Sequence, residues 1–229
     1  MAELTDLITM SIKYVKEYTS HLDASHDFAH IKRVLALSHH LRNELIATEG
    51  RTNLHTEYTP LCALLHDVGD KKYLQPGQDG ETVVRDLLLS FGAEAATAEK
   101  IQTMCSAVSY TSEIKDEQKV LDLIALHPEI ALVQDADRLD AIGAIGIGRL
   151  FTYGGAKTGR SMDEAMAFME DDGKLVLLER LMKTPPGRKL ARERTRRILA
   201  FRDWYAEERL LCGTVGVPVG EESGALMYE

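Results

Sequence analysis

The chain has 229 residues, 45% of them hydrophobic and 28% charged, the proportions of a globular protein long enough to bury a substantial core. Its formal net charge of −9 argues against a nucleic-acid binder that works through a general basic surface. The three cysteines, Cys62, Cys105 and Cys212, are far apart and suggest neither a disulfide framework nor a CxxC metal site. No run has signal-peptide character or membrane-spanning length, so a soluble cytoplasmic or nuclear protein is expected.

Leu4, Leu7, Ile8, Ile12, Val15 and Tyr18 recur at helical spacing and predict an opening amphipathic helix. Asp23 or Ser25 can cap the next, whose inner face reads Phe28, Ile31, Val34/Leu35, Leu41 and Leu45. A polar link over 50–56 follows. Thr59-Pro60 then marks the start of a helix that Gly69 ends. Beyond a loop over 76–80, helices are expected at 81–91 and 93–109, separated by Gly92. The segment 127–151 is mostly helical, with Gly143, Gly146 and Gly148 permitting close approach of neighbouring backbone; no strand–turn context supports a dinucleotide loop there. A loop over 154–159 and helices over 174–182 and 187–211, broken by Pro185-Pro186, complete residues 1–212, and a glycine-rich arm spans 213–229. The expected fold is all-α and single-domain.

Metal-ligand side chains fall on apolar helices in three places. His26 and His30 are one helical turn apart in "SHDFAHIKRV", His66 and Asp67 are adjacent in "ALLHDVGDKKY", and Asp135, Asp137 and Asp140 lie in "VQDADRLDA". Taken alone, His66-Asp67 reads equally well as a hydrogen-bonded core histidine beside a helix-end carboxylate, and the Asp135–Asp140 run as a solvated face. Imidazoles and carboxylates together make a mixed N/O shell suited to Mn, Fe, Zn or Ni rather than Ca.

The ordered set His30, His66-Asp67, Asp137 resembles the H…HD…D signature of the HD-domain metal-dependent phosphohydrolases. The likeness is nearest to small stand-alone HD hydrolases, some of which cleave nucleoside triphosphates, and it extends through "VQDADRLDAIGAIGIGRLF" to "MKTPPGRKLARERT". The resemblance implies an HD-type helical bundle with His30, His66, Asp67 and Asp137 as ligands of one divalent transition metal. Manganese is the first choice, with iron, nickel, cobalt, zinc and magnesium as the others. Asp135 and Asp140 become supporting carboxylates, although Asp135 competes with Asp137 for the fourth ligand position. Only His127 lies between the HD pair and Asp137, beside Pro128, which favours one metal over two.

A divalent ion with open positions activates water and polarises a phosphoryl oxygen, and cations must then hold the phosphates. Asp70 is the candidate general base or water orienter, unless it pairs with Lys71 or Arg33. His26 and Lys71 are candidate phosphate donors at the reacting centre, and Arg33, Lys72 and Lys174 candidate substrate-binding cations, each of which could equally be solvated. The acidic segment Glu170-Asp171-Asp172, just before Lys174, would repel a polyanion if it lay at the phosphate site. The basic run Arg188 to Arg197 is interleaved with acids and with apolar Leu190, Ile198, Leu199, Phe201 and Trp204, so it reads as a helix covering the core and nucleic acid is not expected.

The expected partners are a small phosphorylated substrate and a second copy of the chain in a homodimer, without a membrane. The leading expectation is conversion of a nucleoside triphosphate to monophosphate and pyrophosphate. A nucleoside monophosphate phosphatase, a catalytically silent nucleotide-binding scaffold and a di-iron oxygenase are its rivals.

Overall fold

The computed structural model of the chain describes residues 2–22, 26–50, 54, 57–70, 74 and 77–210, and every regular element among them is helical. In chain order these are α1 (Leu4–Tyr18), α2 (Phe28–Glu49), α3 (Tyr58–Leu65), α4 (Val83–Ser90), α5 (Ala95–Val108), α6 (Tyr110–Lys115) and α7 (Glu117–Leu126). They continue with α8 (Glu129–Asp140), α9 (Gly143–Tyr153), α10 (Met162–Met166), α11 (Lys174–Leu177) and α12 (Pro185–Leu210). One cluster of buried side chains draws on helices from α1 to α12, as expected of a single-domain all-α protein. Residues 213–229 lie outside the described residues, and so does Cys212; Cys62 and Cys105 are buried and free.

Helix α2 starts four residues later than Asp23 would set it and two later than Ser25 would, and those two positions lie outside the described residues. Asp27 is its N-cap: the Asp27 carboxylate accepts the His30 N–H at 3.0 Å, which satisfies one of the donors a helix start leaves open. The predicted inner face holds at Ile31, Val34, Leu41 and Leu45, all buried, with Phe28 and Leu35 half-buried beside them. Thr59-Pro60 sits inside the first turn of α3 rather than at its cap, because a proline within the first turn forfeits no intrahelical bond.

Helix α8 is the axis of the molecule. It packs against α2, α3, α5, α7, α9 and α12, and every one of its residues is buried except Asp137. A helix carrying Gln134, Asp135, Arg138 and Asp140 into a core must supply each with partners, since an unsatisfied buried polar group costs about 1–3 kcal/mol. Gln134 donates to the Ala107 carbonyl at 2.7 Å. Arg138 reaches Glu113 on α6 and the Leu181 carbonyl, and Lys183 closes on the same Glu113. Asp135 accepts from the Lys183 and Thr184 backbone N–H groups, each at 2.8 Å, and from the Thr184 hydroxyl at 2.6 Å.

That last set builds the start of α12. Thr184 Oγ1 accepts the Gly187 N–H at 3.0 Å, so Pro185 and Pro186 form the first turn of the helix instead of breaking it. Gly187 is required for space: a Cβ there would stand 2.2 Å from Asp135 Oδ2 and 2.8 Å from Thr184 Oγ1. Gly187→Ala should therefore destabilise by about 1–3 kcal/mol, the usual range for overpacking, read as a lower denaturation midpoint. An unchanged midpoint would mean that this junction yields without cost.

Three further expectations change in detail. Gly143 lies against the Arg194 side chain and Gly146 against the Ala141 backbone, but at Gly148 a Cβ would meet no atom within 4 Å, so that glycine opens no close approach. The 154–159 loop is instead a wide helical turn over Gly154–Thr158 that extends α9. Trp204 is 63% exposed, because α12 runs on past its last buried residue, Ile198.

Candidate metal centre

Helix α3 is almost wholly apolar and buried, and it ends at Leu65, so His66 and Asp67 fall in the turn that follows. Gly69 allows that turn with φ of 99°, and its backbone lies so close to Gly80 that neither glycine leaves room for a side chain. The adjacent His66 and Asp67, which would diverge on a regular helix, are thereby turned toward the same region as His30 on α2 and Asp137 on α8.

His30 Nε2 is 3.3 Å from Asp67 Oδ2 and 3.5 Å from Asp137 Oδ1. His66 Nε2 is 3.4 Å from Asp67 Oδ1 and 3.8 Å from Asp137 Oδ1. Ligand atoms of His30, His66 and Asp137 all lie within 4.8 Å of one another, the one such grouping among the described residues. His30 Nε2, His66 Nε2 and Asp67 Oδ2 are buried, yet none has a hydrogen-bond partner. Buried polar atoms are rarely left this way, and three of them converging beside Asp137 make a group that could hold a cation.

The other ring nitrogens explain the aim. His66 Nδ1 is 2.9 Å from the Ala63 carbonyl, which can only accept, so Nδ1 donates there and Nε2 faces the cluster. His30 Nδ1 donates to Asp140 Oδ2 at 2.8 Å, which turns its Nε2 toward the cluster in the same way. This is how metal-binding histidines are oriented: the far nitrogen is held by a carbonyl or carboxylate.

The electrostatics agree. Burial alone would lower the pKa of His30, but Asp140 and Asp67 raise it to about 9, so this pocket favours positive charge at the imidazole. Burial would likewise raise Asp67, but the histidines around it hold its carboxyl below the usual carboxylate range. Carboxylates that stay ionised beside imidazoles suit a divalent cation bound in place of a proton. Asp137, with a side chain one-third exposed, marks the side from which solvent reaches the group.

Asp140 is the hub behind His30. It is 1% exposed and accepts from Arg33 Nε at 2.6 Å, Arg33 Nη2 at 3.0 Å, His30 Nδ1 and Arg149 Nη1 at 2.9 Å. Arg33 is thus engaged side-on by Asp140, and Asp140 rather than Asp70 is its partner. Asp135 is turned away from the cluster toward the start of α12, which leaves Asp137 as the α8 carboxylate that faces the histidines.

His26 stands beside the group, its ring 6.0 Å from His30 and 5.9 Å from Tyr153. Asp70 follows the turn, half-buried, with its N–H on the Asp67 carbonyl at 3.2 Å. Lys71 and Lys72 lie outside the described residues. Lys174 is over the Tyr110 ring, 4.8 Å from its centroid. The acidic segment is partly neutralised: Arg202 is 2.8 Å from Asp171 and 3.8 Å from Glu170. On α12 Arg188 donates to the Met182 and Lys183 carbonyls, Arg194 to the Leu139 carbonyl and Arg197 to Glu193, while Lys189, Arg192 and Arg196 are exposed. His127 sits at the α7–α8 junction, outside the cluster.

Two contributors are not evident in the sequence pattern. Arg149 is the one charged side chain on α9, a signal visible in the sequence but without a partner until Asp140 is found beside it. Tyr18, at the end of α1, lies near Asp67 and Asp70 and meets the Gly69 N–H; burial and those charges push its hydroxyl up to about 12.

A helical bundle that brings H…HD…D onto one point around a buried central helix defines an HD-type fold and site. No protein-family model matches the chain. It is 32% identical over 189 residues to the uncharacterized protein YpgQ of Bacillus subtilis, across 82% of this chain and 86% of that protein. The crystal structure of YpgQ superposes with a TM-score of 0.66 at 26% identity, covering 93% of this chain and 98% of YpgQ. YpgQ in complex with ADP gives 0.66 at 27% identity over 91% and 98% of the two chains. An HD-superfamily hydrolase from Bacillus thuringiensis gives 0.65 at 28% identity over 91% and 99%. The chain belongs to the HD-superfamily hydrolases. Among the described residues no helix is long and apolar enough to cross a membrane.

Proposed function

We propose that the protein is a metal-dependent phosphohydrolase whose substrate is a nucleoside triphosphate. The observation that carries this reading is the convergence of His30 Nε2, His66 Nε2 and Asp67 Oδ2, buried and without hydrogen-bond partners, beside Asp137. These four side chains would hold one divalent ion, manganese in first place. A bound ion there supplies Lewis acidity toward a phosphoryl oxygen and toward the attacking water. The complex of YpgQ with ADP supports a nucleotide as the ligand.

The chain's own groups do the rest. Asp140 and the Ala63 carbonyl accept from Nδ1 of the two imidazoles, which leaves each Nε2 aimed at the position the ion would take. Asp70 orients the attacking water and takes its proton. His26, Lys71, Lys72, Arg33 and Lys174 are the groups proposed to offset phosphate charge. Water adds to the α-phosphorus, the bridging bond to the β-phosphate breaks, and pyrophosphate leaves with the bridging oxygen.

Incubating nucleoside triphosphates and monophosphates separately with manganese-supplied protein, then resolving the products, tests the bond broken. Pyrophosphate from the triphosphates is expected. Orthophosphate from monophosphates, with triphosphates untouched, would make the protein a monophosphate phosphatase, and turnover of neither would favour a silent nucleotide-binding scaffold.

A further inference from the structure

We propose that Gln102 is a positioning residue for the candidate metal centre: through Gly80 and the start of α4 it holds the backbone behind Gly69, and so fixes the turn that aims His66 and Asp67. This role rests on the reading of that cluster as a metal centre. Gln102 is buried on α5, and its carboxamide makes every hydrogen bond it has to offer. Oε1 accepts the Val84 N–H at 2.9 Å and the Arg85 N–H at 3.1 Å. Nε2 donates to the Gly80 carbonyl at 3.1 Å and to the Ser106 hydroxyl at 3.0 Å.

A helix start leaves its first N–H groups open, and Thr82, at the N-cap of α4, makes no side-chain cap bond. The Gln102 oxygen supplies that cap from another helix. The Nε2 arm is not needed for it, and runs instead to the glycine whose backbone abuts Gly69. A Cβ on Gly80 would stand 2.7 Å from the Gly69 carbonyl oxygen. One on Gly69 would stand 3.3 Å from the Gly80 oxygen and 2.8 Å from Val83 Cγ1. Gly80 and Val83 therefore form the wall behind Gly69, and Gln102 is bonded to Gly80 and to the residue after Val83. Gly69, with φ of 99°, is two residues past Asp67, so a shift of this wall passes into the turn. Ligand groups work only when held to within about 0.5 Å of their geometry. Helix α5 also meets α3 directly, where Cys105 Sγ lies 3.8 Å from the Cys62 carbonyl oxygen, one turn before His66. The His66-Asp67 segment is thus held from α5 on both sides, at Cys62 before it and at Gly69 after it.

Gln102→Glu separates the two arms. The carboxylate keeps the shape and still accepts from Val84 and Arg85, whose N–H groups favour its ionised form, but it turns an oxygen to the Gly80 carbonyl where Nε2 donated. Cobalt(II) binding to the full chain is the probe. Calorimetry gives its affinity, the visible absorption spectrum records ligand geometry, and circular dichroism on the same samples reports folding. Gln102→Glu should remain helical, show a changed spectrum and bind cobalt about 10-fold more weakly, the lower end of what losing a support of a metal ligand costs. Asp116→Ala, which removes the N-cap of α7, is the control for lost stability elsewhere and should keep wild-type affinity and spectrum. Wild-type affinity and spectrum in folded Gln102→Glu would overturn the role, and so would an equal change in Asp116→Ala. If Gln102→Glu does not fold, Gly80→Ala decides, since its Cβ presses on the Gly69 oxygen from the wall itself. It should weaken cobalt to a similar degree, and unchanged affinity and spectrum there would overturn the role. Wild-type protein that takes up no cobalt would instead remove the metal-centre reading.

Discussion

Asp67→Ala should give a folded, helical protein that no longer retains a divalent metal. Asp67 lies in the turn after α3, so its loss breaks no helical hydrogen bond. Its Oδ2 is buried without a hydrogen-bond partner, which means that the fold draws little from that atom except through charge. The metal would lose a carboxylate that stands 3.3 Å from one imidazole and 3.4 Å from the other. Even groups that only support ligands cost about 10–100-fold in metal affinity when removed, so a ligand should cost more than about 100-fold. Metal analysis after dialysis, with circular dichroism on the same sample, measures both quantities. Full occupancy with unchanged helicity would refute the assignment. Asp135→Ala is the informative comparison: it removes three hydrogen bonds to residues 183 and 184 and should lower stability while the metal stays. If Asp135→Ala loses the metal and Asp137→Ala keeps it, the two carboxylates exchange roles.

The contrast between those aspartates marks where the sequence stops being legible. Asp135 and Asp137 differ by two positions on one helix, and pattern alone ranks them almost equally. The fold separates them, because a rotation of about 200° turns one toward α12 and the other toward α2 and α3. Helices with clear apolar periodicity, α1 and α2, are readable from spacing because burial on one face dictates it. The segment 110–126 was not, although Asp116 caps α7 by accepting the Lys119 N–H. Ile114, Leu121 and Leu126 are all exposed there, so apolar residues do not report which way the helices face. Cations are the least legible class. Arg33 and Asp140 are 107 positions apart, and nothing local to "HIKRV" announces that its arginine will be held by that carboxylate. The histidines were legible for the opposite reason: an imidazole among leucines and alanines has few structural uses, and ordered recurrence of such residues narrows them further.

Asp70→Asn should keep the metal and lose most turnover. Asparagine has nearly the same shape and can still hold a water by hydrogen bonds, but its amide cannot take a proton at neutral pH. If Asp70 is the base, kcat should fall by about 10²–10⁴-fold while KM changes little. Retention of the metal is expected because asparagine keeps the shape of residue 70 and the turn itself is held by backbone. The N–H of residue 70 donates to the Asp67 carbonyl, and Gly69 provides the positive φ, so the substitution leaves the turn that aims His66 and Asp67 as it is. The Tyr18 hydroxyl, near both Asp67 and Asp70, is held in its protonated form well above neutral pH, so it stands beside the two carboxylates as a neutral phenol. Asp70 is half-buried directly after the turn that carries His66 and Asp67, which places it beside the candidate metal centre. His127→Ala, at the α7–α8 junction, is the control and should alter stability more than rate. Steady-state kinetics with metal content measured on the same preparations separates the outcomes. An unchanged kcat would reduce Asp70 to a structural carboxylate, and loss of metal together with activity would place it among the groups that hold the ion rather than those that move the proton.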